Sequence, residues 1–133
     1  MQTETVFVYG TLRAARNGIP KWDTRFRPRI EPFILASEPG RLQDAILFDM
    51  GLYPAARPGK GEIVGELLTV TPRGLAEMDE IESHPFHYVR TRVTVEMGAG
   101  PVLAWVYWAP EDLVNGARLI ESGDWFARER GGF

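Results

Sequence analysis

The chain has 133 residues, enough for one hydrophobic core and too few for two comfortable domains, so the expected organisation is one domain over residues 1–133. Fifteen Lys and Arg against 18 Asp and Glu leave a net charge of −3, with no electrostatic footprint for nucleic acid. Cysteine is absent, which excludes disulfides, thiolate catalysis and cysteine-ligated metals. No apolar run is long enough to span a membrane, and Met1-Gln2-Thr3-Glu4 does not read as a secretory leader, so the cytoplasm is the expected compartment.

Thr5–Tyr9 reads as a first, buried strand that runs straight into Gly10 and Thr11. A glycine break at the end of such a strand exposes backbone N–H groups, and donors on a rigid support suit a carboxylate or carbonyl oxygen. Residues 12–32 lack clean periodicity; Trp22 and Phe26 fit a short helical anchor, and the Arg25–Arg29 stretch is locally basic. Phe33–Ser37 is predicted as a strand, with Pro39-Gly40 turning the chain into a second strand, Arg41–Phe48. Residues 49–58 read as a loop in which Tyr53-Pro54-Ala55 forms a tight, pocket-lining element, and Ile63–Val70 as the next strand.

Thr71 to Ser83 is the one well-marked helix. Thr71 suits the N-cap, Pro72 the first helical position, and Pro85 stops the helix near Ser83. At ~100° per residue, Glu82 falls about 20° from Leu75 and about 40° from Met78, with Asp79 about 40° to the other side. If Leu75 and Met78 face the core, Glu82 faces it too, while Glu77 and Glu80 project away. Two readings of Glu82 stay open on periodicity alone. It either escapes to solvent or pairs with Arg90 or Arg92, or it is a buried carboxyl whose pKa is tuned toward neutrality for acid/base chemistry.

Tyr88–Met97 alternates cleanly, and Gly98-Ala99-Gly100-Pro101 turns it into Val102–Trp108 as a hairpin. Beyond Glu111 a weak helical turn near Leu119 and a Gly-rich end are expected. Short strands around one helix indicate an α+β fold, a small mixed β-barrel with flanking helices.

Other chemistries fit poorly. His84 and His87 flank Pro85 and lack the i, i+4 geometry of a helical metal clamp, so no metal and no cofactor is expected. No Gly-x-Ser-x-Gly surrounds Ser37, Ser83 or Ser122, and Tyr9-Gly10-Thr11 has too few glycines for a phosphate loop. Trp105, Tyr107 and Trp108 read as core and rim packing. What survives is an oxyanion-type turn, one inward carboxylate and the tyrosines Tyr9, Tyr53, Tyr88 and Tyr107. That set suits acyl chemistry on a small polar substrate carrying its own nucleophile.

Val6-Phe7-Val8-Tyr9-Gly10-Thr11-Leu12-Arg13, Gly51-Leu52-Tyr53-Pro54-Ala55, Val64-Gly65-Glu66-Leu67, Met78-Asp79-Glu80-Ile81-Glu82, Tyr88-Val89-Arg90 and Ser122-Gly123-Asp124-Trp125 occur in this order. In that order they resemble the γ-glutamylcyclotransferase-like family, including its AIG2-like and γ-glutamylamine cyclotransferase members. The Tyr-Gly-Thr-Leu turn looks closer to the γ-glutamylamine branch. The resemblance implies a barrel-based α+β fold, a pocket in which Tyr9, Gly10, Thr11 and Leu12 hold a γ-glutamyl group, and Glu82 as the catalytic acid/base. Tyr53, Tyr88 and Asp124 are expected as secondary pocket residues. One departure is Ser83-His84-Pro85, where many members carry Gly after the glutamate. The implied reaction releases 5-oxoproline from a γ-glutamyl amine or amino acid. The alternatives are a small-ligand binding module with the same pocket, or an enzyme removing a γ-glutamyl group from a larger product.

Overall fold

The computed structural model describes residues 2–130. Six strands form the sheet: β1 Glu4–Val8, β2 Ile34–Asp49, β3 Pro54–Val70, β4 Val89–Met97, β5 Gly100–Trp108 and β6 Arg118–Leu119. Their order is β3-β1-β5-β4-β2-β6, and a further β3–β2 pairing closes the first five into a barrel. Only β1 and β5 run parallel, meeting at Val6 and Trp105, so the barrel is mixed as expected. Closure removes the open edges that a sheet of this size otherwise presents to other chains.

β1 is the hinge of this arrangement. Its apolar run is buried on both faces, with Val6, Phe7 and Val8 almost wholly inaccessible, because successive side chains serve different cores. Phe7 joins Leu42, Leu47, Ile63, Val95 and Trp125 in one cluster. Val6 and Val8 join Ile30, Leu68, Leu75 and Met78 in the other, which the helices cover. Those helices are α1, the single turn Arg27–Ile30, and α2, Pro72–Glu82. Thr71 caps α2 as predicted, its side chain accepting from the Gly74 N–H at 3.2 Å.

Three sequence expectations are corrected. Pro39 and Gly40 do not turn the chain; both lie inside β2, opposite Glu66 and Gly65 of β3. Over this stretch β2 has a ladder on one side only, since its other side meets β4 solely at Arg41, so a proline without an N–H is tolerated. The loop predicted over 49–58 shrinks to residues 50–53, because Pro54 already pairs with Asp49 and β2 and β3 continue as one long hairpin. Leu119 belongs to the two-residue strand β6 against Phe48, and the only regular turns nearby among the described residues are 3-10 turns at Glu111–Val114 and Trp125–Ala127. The Gly-rich end, Gly131 and Gly132, lies outside the described residues. The expected β4–β5 hairpin forms, pairing Val89 with Trp108 through Met97 with Gly100, and Leu103 of β5 is exposed.

The C-terminal segment closes the barrel. Trp125 is fully buried, donates from Nε1 to the Asp23 carbonyl oxygen at 3.1 Å and lies under the Arg128 guanidinium. Arg128 and Arg130 in turn pair with Asp23, which holds the residue 21–24 turn against this end of the chain.

Gly65 is required by close approach, since a Cβ there meets the Val8 carbonyl oxygen at 2.2 Å and Phe7 Cζ at 2.7 Å. Gly65→Ala is therefore expected to lower the unfolding free energy by ~1–3 kcal/mol, as overpacking does. Gly98→Ala, whose added Cβ meets nothing within 4 Å, serves as the control. Equal denaturation midpoints for the two variants would show that β1 and β3 do not pack this closely.

Candidate active site

A cavity of about 360 Å³ opens where β1 ends, between the Tyr9–Leu12 turn, the C-terminus of α2 and the 50–53 hairpin. Tyr9, Gly10, Thr11 and Leu12 form one wall; Tyr53, Glu82 and Tyr88 line the others, so the structure brings seven of the eight expected pocket residues to one place. Phe7, Val8, Phe26, Leu52, Pro54 and Ile81 make much of the remaining lining apolar.

The turn wall is built by ladder termination. β1 pairs with β3 only as far as Val8 opposite Glu66, and the chain then bends, with the Arg13 N–H returning to the Gly10 carbonyl oxygen at 3.0 Å. Outside the strand ladders, no acceptor among the described residues faces the N–H groups of Gly10, Thr11 or Leu12. Gly10 packs flat on Pro54, where a Cβ meets the ring at 2.5 Å. A charged cluster pins the far end of the turn. Glu66 accepts from Arg13, Arg27 and the Ala14 N–H, and Arg27 also reaches the Leu12 carbonyl oxygen at 3.2 Å. Asp124 belongs to this cluster, bonding Arg13 at 2.8 Å and capping the Trp125 turn; it does not line the cavity, which corrects its expected pocket role.

Glu82 is the last residue of α2 and half-buried, facing the cavity as the helical angles predict. Its side chain makes no hydrogen bond or ion pair among the described residues. The two arginines that periodicity offered as partners are taken. Arg90 forks onto Asp79 at 2.7 and 3.0 Å, and Arg92 reaches Glu4 at 3.6 Å. The two inward carboxyls of α2 consequently diverge. Burial drives Asp79 upward, but hydrogen bonds from Arg90 and Tyr107 outweigh it and hold the carboxyl below its ordinary value. At Glu82 burial acts alone and raises the pKa from 4.5 to about 7.

The tyrosines are committed differently. The Tyr9 hydroxyl donates to the Tyr107 carbonyl oxygen at 2.6 Å, Tyr88 to the Pro54 carbonyl oxygen at 3.2 Å, and Tyr107 to Asp79 at 2.6 Å. Burial pushes all three phenols further up, so they stay protonated and act as fixed walls. Tyr53 packs edge-on against Tyr88 with ring centroids 6.5 Å apart. The departure at Ser83 is also resolved. Ser83 takes the left-handed conformation (φ 55°) that glycine adopts most easily, and its N–H still bonds the Asp79 and Glu80 carbonyl oxygens, so the helix ends where a glycine would end it.

His84 accepts from the Arg90 N–H at 3.2 Å and so braces the loop after the helix. Among the described residues no cluster of three or more His, Asp or Glu is arranged to hold a metal ion, and no helix is long and apolar enough to cross a membrane. Sequence reasoning missed His87 and Arg25 as cavity residues; Tyr107, read both as packing and as one of the site tyrosines, lines the cavity. Tyr107 reaches the cavity only because β5 lies beside β1, a contact across 98 residues that no local pattern announces.

Comparison with known proteins assigns this small mixed barrel to a known class. The family model described as gamma-glutamyl cyclotransferase, AIG2-like, matches residues 6–127, and the chain belongs to that family. It is 32% identical over 125 residues to the gamma-glutamylcyclotransferase family protein YtfP of Escherichia coli K12, covering 94% of this chain and 98% of the relative. The solution structure of ytfP from Escherichia coli superposes with a TM-score of 0.58 at 28% identity, covering 93% of this chain and 97% of that one. The crystal structure of an aig2-like protein of Mus musculus shares the fold, with a TM-score of 0.68 at 23% identity over 86% of this chain and 84% of that one.

The raised Glu82 pKa has a thermodynamic signature. The folded chain favours the protonated carboxyl, so this contribution to stability is complete below pH 4.5 and is lost as the pH rises through about 7. Relative to Glu82→Gln, the unmodified chain should lose on the order of 3 kcal/mol of unfolding free energy between acid and alkaline pH. Denaturant titrations of both proteins across that range measure it, and a pH-independent difference would mean that Glu82 titrates like an ordinary surface carboxyl.

Proposed function

We propose that the protein is a cyclotransferase that releases 5-oxoproline from a γ-glutamyl amine or γ-glutamyl amino acid, with Glu82 as general acid/base. The observation that carries this reading is a desolvated carboxyl with no partner among the described residues and a pKa of about 7, which shares one small cavity with a turn whose Gly10, Thr11 and Leu12 N–H groups make no bond outside the strand ladders among the described residues. Family membership supports the reaction class.

In this mechanism deprotonated Glu82 takes a proton from the substrate α-ammonium, and the freed amine attacks the γ-carbonyl carbon, forming the ring C–N bond. The N–H groups of Gly10, Thr11 and Leu12 hold the glutamyl group and stabilise the developing oxyanion. Glu82 gives its proton to the amide nitrogen as the old C–N bond breaks. The ring nitrogen sheds its second proton through Glu82 to the departing amine, so 5-oxoproline and an ammonium leave and the carboxylate is restored. Nucleophile and electrophile belong to one molecule, and the cavity chiefly folds it into the reactive conformer. The phenols cannot replace Glu82, because they are protonated and already bonded. No step calls for a metal or cofactor.

A pKa of about 7 also suits the task, since both protonation states are populated at neutral pH. Incubating a panel of γ-glutamyl amines and amino acids and scoring 5-oxoproline tests the reaction directly. Glu82→Gln should lower kcat/KM by roughly 10²–10⁴. In the unmodified chain kcat/KM should rise with pH through an acid limb near 7. Thermal stabilisation by the panel without product would make the protein a binding module. Full activity in Glu82→Gln, with loss in His87→Asn, would move the role to the histidine on the cavity rim.

A further inference from the structure

The only arginine lining the reaction cavity among the described residues is Arg25, and it also lines a second, larger groove of about 880 Å³. The two spaces meet at this one side chain. Arg25 has no carboxylate partner among the described residues, unlike its neighbours Arg27 and Arg29, which pair with Glu66 and Glu77. Its guanidinium is nonetheless held in place. Nη1 donates to the Trp22 carbonyl oxygen at 2.8 Å, and the group lies 4.4 Å from the Trp22 ring centroid and 5.0 Å from that of Phe26. The chain that follows it is anchored as well, since the Phe26 N–H bonds the Thr11 carbonyl oxygen at 3.2 Å and the Arg27 side chain reaches the Leu12 carbonyl oxygen. A stacked, pre-ordered guanidinium with free donors is a carboxylate receptor.

Beyond Arg25 the groove is lined by Ala14, Ala15, Trp22, Pro28 and Pro32, together with Lys21, Thr24 and the ion pair of Arg27 with Glu31. Trp22 is 57% exposed, a large aromatic surface that the Arg25 guanidinium stacks on. Nothing bonds Arg25 to Glu82. In the proposed reaction the glutamyl α-carboxylate stands on the carbon whose amine Glu82 deprotonates, whereas the substituents of the leaving amine extend outward from the cavity.

Resting on the cyclotransferase reading, we propose that Arg25 is a specificity-determining residue: it binds a carboxylate on the leaving amine, while the Trp22 groove receives that amine's side chain. The substrate class is then γ-glutamyl amino acids with a large apolar side chain, preferred over γ-glutamyl alkylamines. The Arg25–Arg29 segment, which carried no role in the sequence, thereby divides into one substrate-facing arginine, one that braces the turn (Arg27) and one that pairs with α2 (Arg29).

Two probes that differ only in the carboxylate test this: γ-glutamyl-phenylalanine and γ-glutamyl-phenethylamide. Calorimetry in Glu82→Gln protein, where the probes stay intact, is compared with the same protein carrying Arg25→Gln or Arg25→Lys. The acid is expected to bind ~10–100-fold tighter than the amide in the Arg25 protein, the range for a charge-assisted hydrogen bond. Arg25→Gln should abolish that preference while changing the affinity for the amide by no more than about twofold, and Arg25→Lys should keep part of it. Trp22→Ala should weaken both probes alike. Equal loss of both probes on Arg25→Gln would assign the arginine to the glutamyl carboxylate and overturn the proposal, as would an absent preference or failure to bind either probe. Release of 5-oxoproline by the unmodified chain is scored separately. Selective binding without product would leave the selectivity standing and defeat the catalysis; product without an Arg25-dependent preference would do the reverse.

Discussion

A carboxyl group held at the end of a helix with no cation to compensate it is the constraint on which this site depends. α2 carries two carboxyls toward the sheet, three residues apart, and the structure treats them oppositely. Asp79 receives the Arg90 fork and the Tyr107 hydroxyl and is a settled ion pair. Because Arg90 is spent there and Arg92 on Glu4, Glu82 meets only desolvation. The same helix thus supplies a brace and a titratable group from equivalent chemistry, and the difference lies in which one the β4 arginine can reach. A carboxyl that titrates near neutral pH follows from that allocation.

The opposite wall depends on backbone rather than on charge. β1 is paired on both sides and buried on both faces, so its direction is set by two ladders and two cores at once. When pairing stops at Val8, the next residues project into the cavity from a rigid base. The Glu66, Arg13, Arg27 and Asp124 cluster fixes the far end of that turn and draws the 25–30 segment against it. Cavity wall, arginine-bearing segment and C-terminal segment are consequently one mechanical unit, with Trp125 and Arg128 holding the last piece to Asp23.

The helix was legible because its signals are local. A threonine cap, a proline at the first turn and the 3.6-residue spacing of Leu75, Met78 and Glu82 need no knowledge of the rest of the chain. The Gly10 break and the β4–β5 hairpin were legible for the same reason. Pro39-Gly40 misled because turn propensity is a local preference, and the β2–β3 ladder, which runs on past both residues, overrode it. Leu119 misled because a two-residue strand has no period of its own; it exists only where Phe48 offers an edge.

The sequence alone determined which residues are candidates for chemistry: one carboxyl on the apolar side of a helix and a strand that ends in glycine and threonine, in a chain with no thiol and no metal-binding pattern. Tertiary structure decided which of those residues meet and in what protonation state. Closing the barrel sets β5 beside β1 and brings Tyr107 under the cavity; ion pairing across strands takes the arginines away from Glu82; the cluster around Glu66 sets Arg25 at the seam of two spaces. Burial and charge compensation are sums over neighbours distant in the chain, and a one-dimensional pattern carries the angle of a side chain but not the company it keeps.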